Sequence, residues 1–570
     1  MEENINKKPC VVQKIETPQG FSLSYKEHLL YSKYNPSKNI ISLIEKQTLL
    51  PGTIILCFSP LLGYGLKELV NKLPENCLIV LCEAEEELYD FTRNQAFIKD
   101  FMENMGEIAI TCSPSEIKNL PLLLFKLCQQ GKYKRVIRLD MSAGVLFNSQ
   151  LYDSLTTAST DSVMTFWKNR ITLTRFGRRY SKNLFENLHY LEQSKAITDF
   201  FNEIEKPIIV FGAGESTQIF IDELKKNQDW QTLLSEHYIL CVDTALQPLL
   251  KNGIRPDGVF VEEAQSIIVK AFTGCPKNIH IFAGLSSIPN LVHIFGADYL
   301  SYFFTEYTEG RFFDSLKTKN FMPPANKPFG SVGLTALHYA LKFRRDQSIP
   351  VYVCGLDFSY SIGSTHTRGA LAQLTRLISG NRLQSIANYP AAFGFACDKL
   401  TGKNGKTIIS TPTLKNYAAM FKSFFADEKN LFDIGKSGID LGLTQVTDFA
   451  RQAALFINSS NELNHHCEAD NNLHCKTDTN RNCEAQGRSK PQSKEIEEYL
   501  QTEKQGLNEL RNLLTGKTEL RGEALLAKIR EIAEAREYLY LHFADGWAFS
   551  TEQSFLNRMR TEIDFFLKVL

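Results

Sequence analysis

Between Pro207 and Gly369, short apolar runs alternate with helical spacing, and each run stops at a glycine or a carboxylate. Pro207-Ile208-Ile209-Val210-Phe211 ends in Gly212-Ala213-Gly214-Glu215-Ser216. Tyr238-Ile239-Leu240-Cys241-Val242 ends in Asp243-Thr244-Ala245. Gly258-Val259-Phe260-Val261 ends in Glu262-Glu263, and His280-Ile281-Phe282-Ala283-Gly284 follows. Runs this apolar suit strands covered on both faces, and the helices between them suit parallel crossovers. The pattern predicts an α/β fold built on a Rossmann-like, doubly wound parallel sheet. In such a sheet, ligands bind beyond the carboxyl ends of the strands, where the strand order reverses.

The stretch Phe329–Gly369 sharpens that expectation. Phe329-Gly330-Ser331-Val332-Gly333 opens a helix with Leu334, Leu337 and Leu341 on one face. The strand Pro350–Cys354 continues into Gly355-Leu356-Asp357-Phe358, and a polar loop carries Ser364-Thr365-His366-Thr367-Arg368. Ser331 thus falls at a helix N-terminus, where free backbone N–H groups suit an anion. Asp357 and His366 fall just past a strand's carboxyl end. Asp243, after the second strand, stands where an acid commonly accepts hydrogen bonds from ribose hydroxyls. Each residue also has a plain structural alternative. Ser331 caps its helix, Asp357 caps the loop after its strand, and His366 bonds a backbone carbonyl.

The chain of 570 residues exceeds one ordinary core. A smaller α/β domain is expected over 1–150, with strands at Thr53–Phe58 and Leu78–Cys82. Its glycine turn, Ser59-Pro60-Leu61-Leu62-Gly63-Tyr64-Gly65, carries bulk where close approach to phosphate would need glycines, so a purely structural domain is preferred there. Residues 151–200 are expected to be a basic helical connector, with Lys168, Arg170, Arg175, Arg178, Arg179 and Lys182 facing solvent. Residues 201–455 are expected to form the central nucleotide-sugar-binding domain, within which Asp433–Gly438 is expected as a surface turn, with a short lid closing over the site as the alternative. Residues 456–493, rich in Asn, Ser, Asp and Glu, are expected to be a disordered linker. His465, His466, Cys467, His474, Cys475 and Cys483 within it match no metal-ligand spacing. Residues 494–570 read as a helical C-terminal region, with a capping box at Ser550 and Gln553, suited to packing, dimerisation or partner docking.

Lysine plus arginine equals aspartate plus glutamate, 64 each, which argues against a nucleic-acid binder. No apolar run has the length of a membrane span. The start Met1-Glu2-Glu3-Asn4 is not a secretory signal, and thirteen scattered cysteines read as reduced thiols of a cytoplasmic protein.

Several segments resemble the motility-associated factor (Maf) family of flagellin glycosyltransferases. They are Leu30–Pro36, Tyr180–Leu184, Gly212–Ser216, Pro256-Asp257, Phe329–Val332 and Gly355-Leu356-Asp357 with Thr365-His366, within a likeness running from about Leu30 to Gly438. The central block is similar to archaeal 6-hydroxymethylpterin pyrophosphokinases of the MptE type. It is also similar to bacterial sialyltransferases that use CMP-sugars, whose Cys-Gly-Ile-Asp-Phe strand end corresponds to Cys354-Gly355-Leu356-Asp357-Phe358. Glu215 departs from the proline common at its position. The tyrosines that assist the leaving phosphate have no clear counterpart, and Tyr360 is a candidate by position alone.

The resemblance implies transfer of a nonulosonic acid, pseudaminic or legionaminic in type, from a CMP-activated donor to Ser or Thr of flagellin, for flagellar assembly and motility. No cofactor or metal is expected, and a homo-oligomer is allowed. On that basis His366 is expected as general base with Asp357 beside it. Gly212, Gly214, Ser216, Asp243, Thr244, Gly330 and Ser331 are expected to bind the nucleotide-sugar. The alternatives are a metal-dependent pyrophosphokinase acting on a pterin-like substrate, with Asp243, Asp257, Glu262 and Glu263 as oxygen ligands, and a non-catalytic flagellin-binding protein.

Overall fold

The computed structural model describes residues 11–129, 131–308, 310–371, 374, 378, 380–383, 392–395, 397–456 and 493–570. The His- and Cys-containing linker and most of the helix expected over Leu371–Leu377 lie outside them. The chain forms two compact units, Met1–Gly177 with Tyr540–Ser550, and Arg178–Leu539 with Thr551–Leu570.

The first unit opens with a small antiparallel sheet of β1 (Gln13–Thr17), β2 (Gly20–Tyr25) and β3 (His28–Leu29). Behind it lies a parallel sheet of β4 (Thr53–Phe58), β5 (Leu78–Cys82), β6 (Ala109–Cys112) and β7 (Arg135–Asp140), in the order β6-β5-β4-β7. Every side chain of β4 and β5 is buried, as their unbroken apolar runs require. The helix Ser149–Leu188 begins in this unit and ends in the other. Its basic residues are not uniformly solvated. Arg170 is buried and donates to the carbonyls of Leu541 and Phe543. Arg178, in the second unit, pairs with Glu562 at 2.8 Å and lies 3.9 Å above the Phe565 ring.

The second unit is built on a nine-stranded sheet. Its strands are β8 (Ile208–Phe211), β9 (Tyr238–Val242), β10 (Gly258–Val261), β11 (His280–Gly284), β12 (Leu300–Thr305), β13 (Ala325–Asn326), β14 (Val351–Cys354), β17 (Leu431–Asp433) and β18 (Thr444–Gln445). A separate hairpin pairs β15 (Asp398–Thr401) with β16 (Thr407–Ser410). The order is β13-β12-β11-β10-β9-β8-β14-β17-β18, with every pairing parallel. The expected doubly wound α/β architecture is therefore present.

One face of this sheet carries the helix Val332–Phe343, packed against β8, β9 and β10. Phe200, Phe260, Phe282, Tyr339 and Phe343 fill the space with ring-to-ring contacts, the closest at 4.8 Å between Phe260 and Phe282. The helices Ser493–Leu514, Gly522–Glu534 and Gln553–Val569 complete the unit. The last starts at Gln553 with Glu552 as N-cap and no side-chain cap, so the capping box expected from Ser550 does not form. Its apolar face (Phe555, Met559, Ile563, Phe566) is buried, with Phe566 against Phe185 and Tyr538. Among the described residues no helix is long and apolar enough to cross a membrane.

Candidate functional site

β8 is flanked by β9, which follows it, and by β14, which comes much later, so the winding reverses between β8 and β14. A crevice is expected above that reversal. The loops entering it are Gly212–Ser216 and Gly355–Asp357, and they meet glycine to glycine. A side chain at Gly355, whose φ is +75°, would sit 2.5 Å from the Gly212 carbonyl oxygen. One at Gly214 would sit 2.5 Å from Asp357 Cγ. The glycines therefore allow the two loops to touch each other.

That contact spends the turn. The Gly212 N–H donates to the Cys354 carbonyl (2.7 Å), the Gly214 N–H to the Gly355 carbonyl (2.9 Å), and the Ser216 N–H to Asp357 Oδ2 (2.9 Å). The amides of Gly212, Gly214 and Ser216 are thus not available to a phosphate. Asp357 occupies the helix N-terminus an anion would have used, capping Glu215–Leu224 from across the sheet. It is 3% exposed, and its Oδ1 has no hydrogen-bond partner. Burial pushes its carboxyl up to about 6, against the pull of the Ser216 N–H and of Lys403. None of its hydrogen bonds goes to His366, so the geometry gives Asp357 the capping part.

The segment after β17 closes the same region. Ser437 N–H donates to Ser216 Oγ, which donates to the Ser437 carbonyl, both at 2.9 Å. Glu215 is drawn away from the turn, accepting from Ser361 and from Ser437 Oγ at 3.0 Å. Asp433 forms a buried ion pair with Lys403 at 2.6 Å. The surface turn expected at Asp433–Gly438 is therefore mostly buried, because its serine and backbone bond the glycine turn directly.

His366 is held beside that turn. The following Thr367 N–H donates to the Ala213 carbonyl at 2.8 Å, and Thr365 and Thr367 are both buried. The imidazole is half-buried, with Nδ1 3.0 Å from Thr365 Oγ1. When Nδ1–H is the donor in that pair, the Nε2 lone pair is the one able to take a proton.

A second helix N-terminus borders the crevice and is open. Gly330 has φ +68° and turns the chain into Val332–Phe343, with Ser331 at the N-cap position. The Ser331 side chain makes no cap bond, and the amides of Ser331, Val332 and Gly333 have no partner among the described residues. The Leu356 side chain lies 2.7 Å from a side-chain position at Gly212 and 2.5 Å from one at Gly333, so both turns flank it. The Tyr417 ring lies 3.0 Å from a side-chain position at Gly330.

Carboxylates sit nearby. Glu262 accepts from Thr305 Oγ1 (2.6 Å) and from Thr335 Oγ1 in the first turn of that helix (3.0 Å). Burial raises its carboxyl despite those hydroxyls. Asp243, 5% exposed, begins the helix Asp243–Lys251 and accepts from Thr244 Oγ1 at 2.7 Å. Burial pushes it up to about 6, with Glu263 and Glu262 adding to the rise. The Tyr417 hydroxyl is raised by burial and then by Glu262 and Tyr360, which places Tyr417 within their field. Asp257 is absent from this group. It precedes β10 at the other end of the sheet and accepts from the Ile239 N–H at 2.7 Å, so the four-carboxylate set is split.

The arrangement suits a ligand with one anionic group at the open helix N-terminus, hydroxyl donors at Ser331 and Tyr417, and a proton acceptor at His366. Sequence reasoning passed over Tyr417, Thr335 and Lys403, and took Ser437 only as part of the Asp433–Gly438 turn. Ser437 carries a usable signal: a glycine-flanked serine after a strand, as at Gly330-Ser331. Tyr417 carries none, since it is one aromatic on an ordinary amphipathic helix.

Fold and site together define a doubly wound α/β domain whose candidate site lies at the carboxyl ends of the strands. Residues 182–363 match the family described as 6-hydroxymethylpterin diphosphokinase MptE-like, so the chain carries an MptE-like domain, and His366 lies just past the end of the match. The full chain is 29% identical over 568 residues to an uncharacterized protein of Treponema pallidum (strain Nichols), covering 98% of this chain and 94% of that one. Its fold is that of the MAf glycosyltransferase from Magnetospirillum magneticum AMB-1, with a TM-score of 0.52 at 13% identity, covering 98% of this chain and 91% of that one.

Proposed function

We propose that this chain is a glycosyltransferase that moves a nonulosonic acid from a CMP-activated donor to a serine or threonine hydroxyl of flagellin. The observation that carries the proposal is the pairing of an open helix N-terminus at Ser331–Gly333 with a histidine loop tied to Ala213. The likeness to the Magnetospirillum enzyme over the whole chain supports the reaction class. The donor's phosphate lies on the Ser331, Val332 and Gly333 amides, with the Tyr417 hydroxyl as a further donor. Asp243 and Thr244 take the ribose. His366 removes the acceptor's hydroxyl proton as that oxygen bonds the anomeric carbon. The bond from that carbon to phosphate breaks, and CMP leaves with the electron pair. A single phosphate leaving group needs less charge neutralisation than a diphosphate.

Flagellin from cells lacking the protein, compared by intact mass after restoration with wild type or His366→Ala, tests this. Wild type is expected to restore the glycan mass and His366→Ala to leave flagellin unmodified; full restoration by His366→Ala removes the assigned base. The family match favours a pterin-type pyrophosphokinase as the second reading. Magnesium-dependent binding of ATP in preference to CMP would support that reading instead.

A further inference from the structure

At the amino-terminal end of the large sheet, opposite the candidate site, a cavity of about 420 Å³ opens beside the starts of β9 and β10. That volume lies within the range of small-molecule sites, about 300–1,000 Å³. Its lining carries Trp230, Tyr238, Gln231, Lys206, Arg255 and Asp257. The Trp230 ring lies against the turn at Gly253, 3.7 Å from where a side chain would start, an ordinary contact distance.

Two cations reach this cavity without being consumed. Lys206 Nζ donates to the Ser235 carbonyl at 2.7 Å, and Arg255 Nη2 donates to the Asn278 carbonyl at 3.2 Å. Each keeps further N–H donors. Both act on Asp257, whose carboxyl is raised by burial and held back by the Ile239 N–H, Lys206 and Arg255. Asp257 in turn acts on the Tyr238 hydroxyl, which burial raises and which has no hydrogen-bond partner among the described residues. An indole face, a phenol with an unused hydroxyl, two cations and one carboxylate thus share one concave space. Lys206, Arg255 and Asp257 are exposed at the mouth of this space, so their spare hydrogen-bonding groups are open to a ligand.

We infer that this cavity is a second ligand site for an aromatic phosphate of mononucleotide size, with phosphate on Lys206 and Arg255, the ring against Trp230, and ligand hydroxyls on Asp257. The inference does not depend on the transferase reading, because no residue is common to the two sites.

Equilibrium titration of the full chain with CMP, AMP and inorganic phosphate tests it, read by tryptophan fluorescence and by competition for phosphate. Trp230→Phe and the surface double variant Lys206→Glu/Arg255→Glu are titrated beside wild type and Ser331→Asp, after circular dichroism confirms each fold. The expected result is saturable quenching by a nucleotide below millimolar concentration, absent in Trp230→Phe. It is weakened at least about tenfold in the double variant and retained in Ser331→Asp. Three results overturn the inference: no saturation at millimolar nucleotide, quenching at full strength in the double variant, or inorganic phosphate competing as tightly as the nucleotide.

Discussion

In the four-stranded sheet the acid after the second-wound strand, Glu83, turns back across the winding reversal; in the nine-stranded sheet the equivalent acid, Asp243, stays at the start of its own helix. Glu83 is 1% exposed and satisfied on every side. It accepts from Ser59 Oγ at 2.7 Å, Tyr152 Oη at 3.0 Å and the N–H groups of Ala84 and Glu85 at 2.9 and 3.2 Å. Ser142, past β7, closes the gap by bonding the Ser59 carbonyl at 2.8 Å. The crossing acid of the larger sheet is Asp357, from the opposite side, and it caps only the helix Glu215–Leu224. The helix Val332–Phe343 keeps its amides. One winding therefore offers several places for an anion, and the protein's own carboxylates decide which stay open.

The comparison breaks most visibly at Gly355. Gly355→Ala adds a strained φ and a clash with Thr217 and Gly212, and is expected to cost about 2–4 kcal/mol in denaturant titration. A cost below 1 kcal/mol would mean the two loops do not meet as described.

Next comes Asp357. Asp357→Ala removes a cross-sheet cap and should cost about 2 kcal/mol. Asp357→Asn keeps an acceptor for Ser216 and should cost far less at pH 7. The sign with pH follows from burial. A folded carboxyl held at about 6, above its ordinary 3.8, binds its proton more tightly folded than unfolded. Its contribution is full below pH 4 and is lost as pH rises through 6, with Asp243 acting in the same direction. Asp357→Asn should therefore reduce the fall in Tm between pH 4 and 6; an unchanged slope would contradict the buried, charge-disfavouring setting. The smallest effect is expected at Glu83→Gln, about 1 kcal/mol, since one oxygen keeps three donors and the new amide faces the Ser59 hydroxyl. CMP affinity should not move with it.

Strand alternation from Pro207 to Cys354 was legible because buried parallel strands need unbroken apolar runs. So was the order of glycine turn, acid and Gly-Ser helix start. The stretch between Gly284 and Phe329 was not read, although it holds β12 and β13. Leu300-Ser301-Tyr302-Phe303 mixes a serine into its run, and β13 has only two residues. The use of the glycines was also hidden. A glycine that admits a phosphate and one that admits another backbone look the same in sequence, and only the position of Asp357 separates them. Pairings such as Ser216 with Ser437 join residues 221 apart, beyond any local pattern.

The central claim is that the donor's phosphate lies at the open N-terminus of Val332–Phe343 and not on the Gly212–Ser216 turn. Ser331→Asp tests it by calorimetric titration with CMP, with Lys206→Glu/Arg255→Glu present in both proteins compared so that only the donor site is read. Aspartate is a good N-cap and favours the helix dipole, so the fold should hold or gain stability while a carboxylate takes the anion's place. The account predicts that adding Ser331→Asp leaves Tm unchanged or higher, with CMP affinity reduced at least about tenfold. Unchanged CMP affinity on adding Ser331→Asp would contradict it.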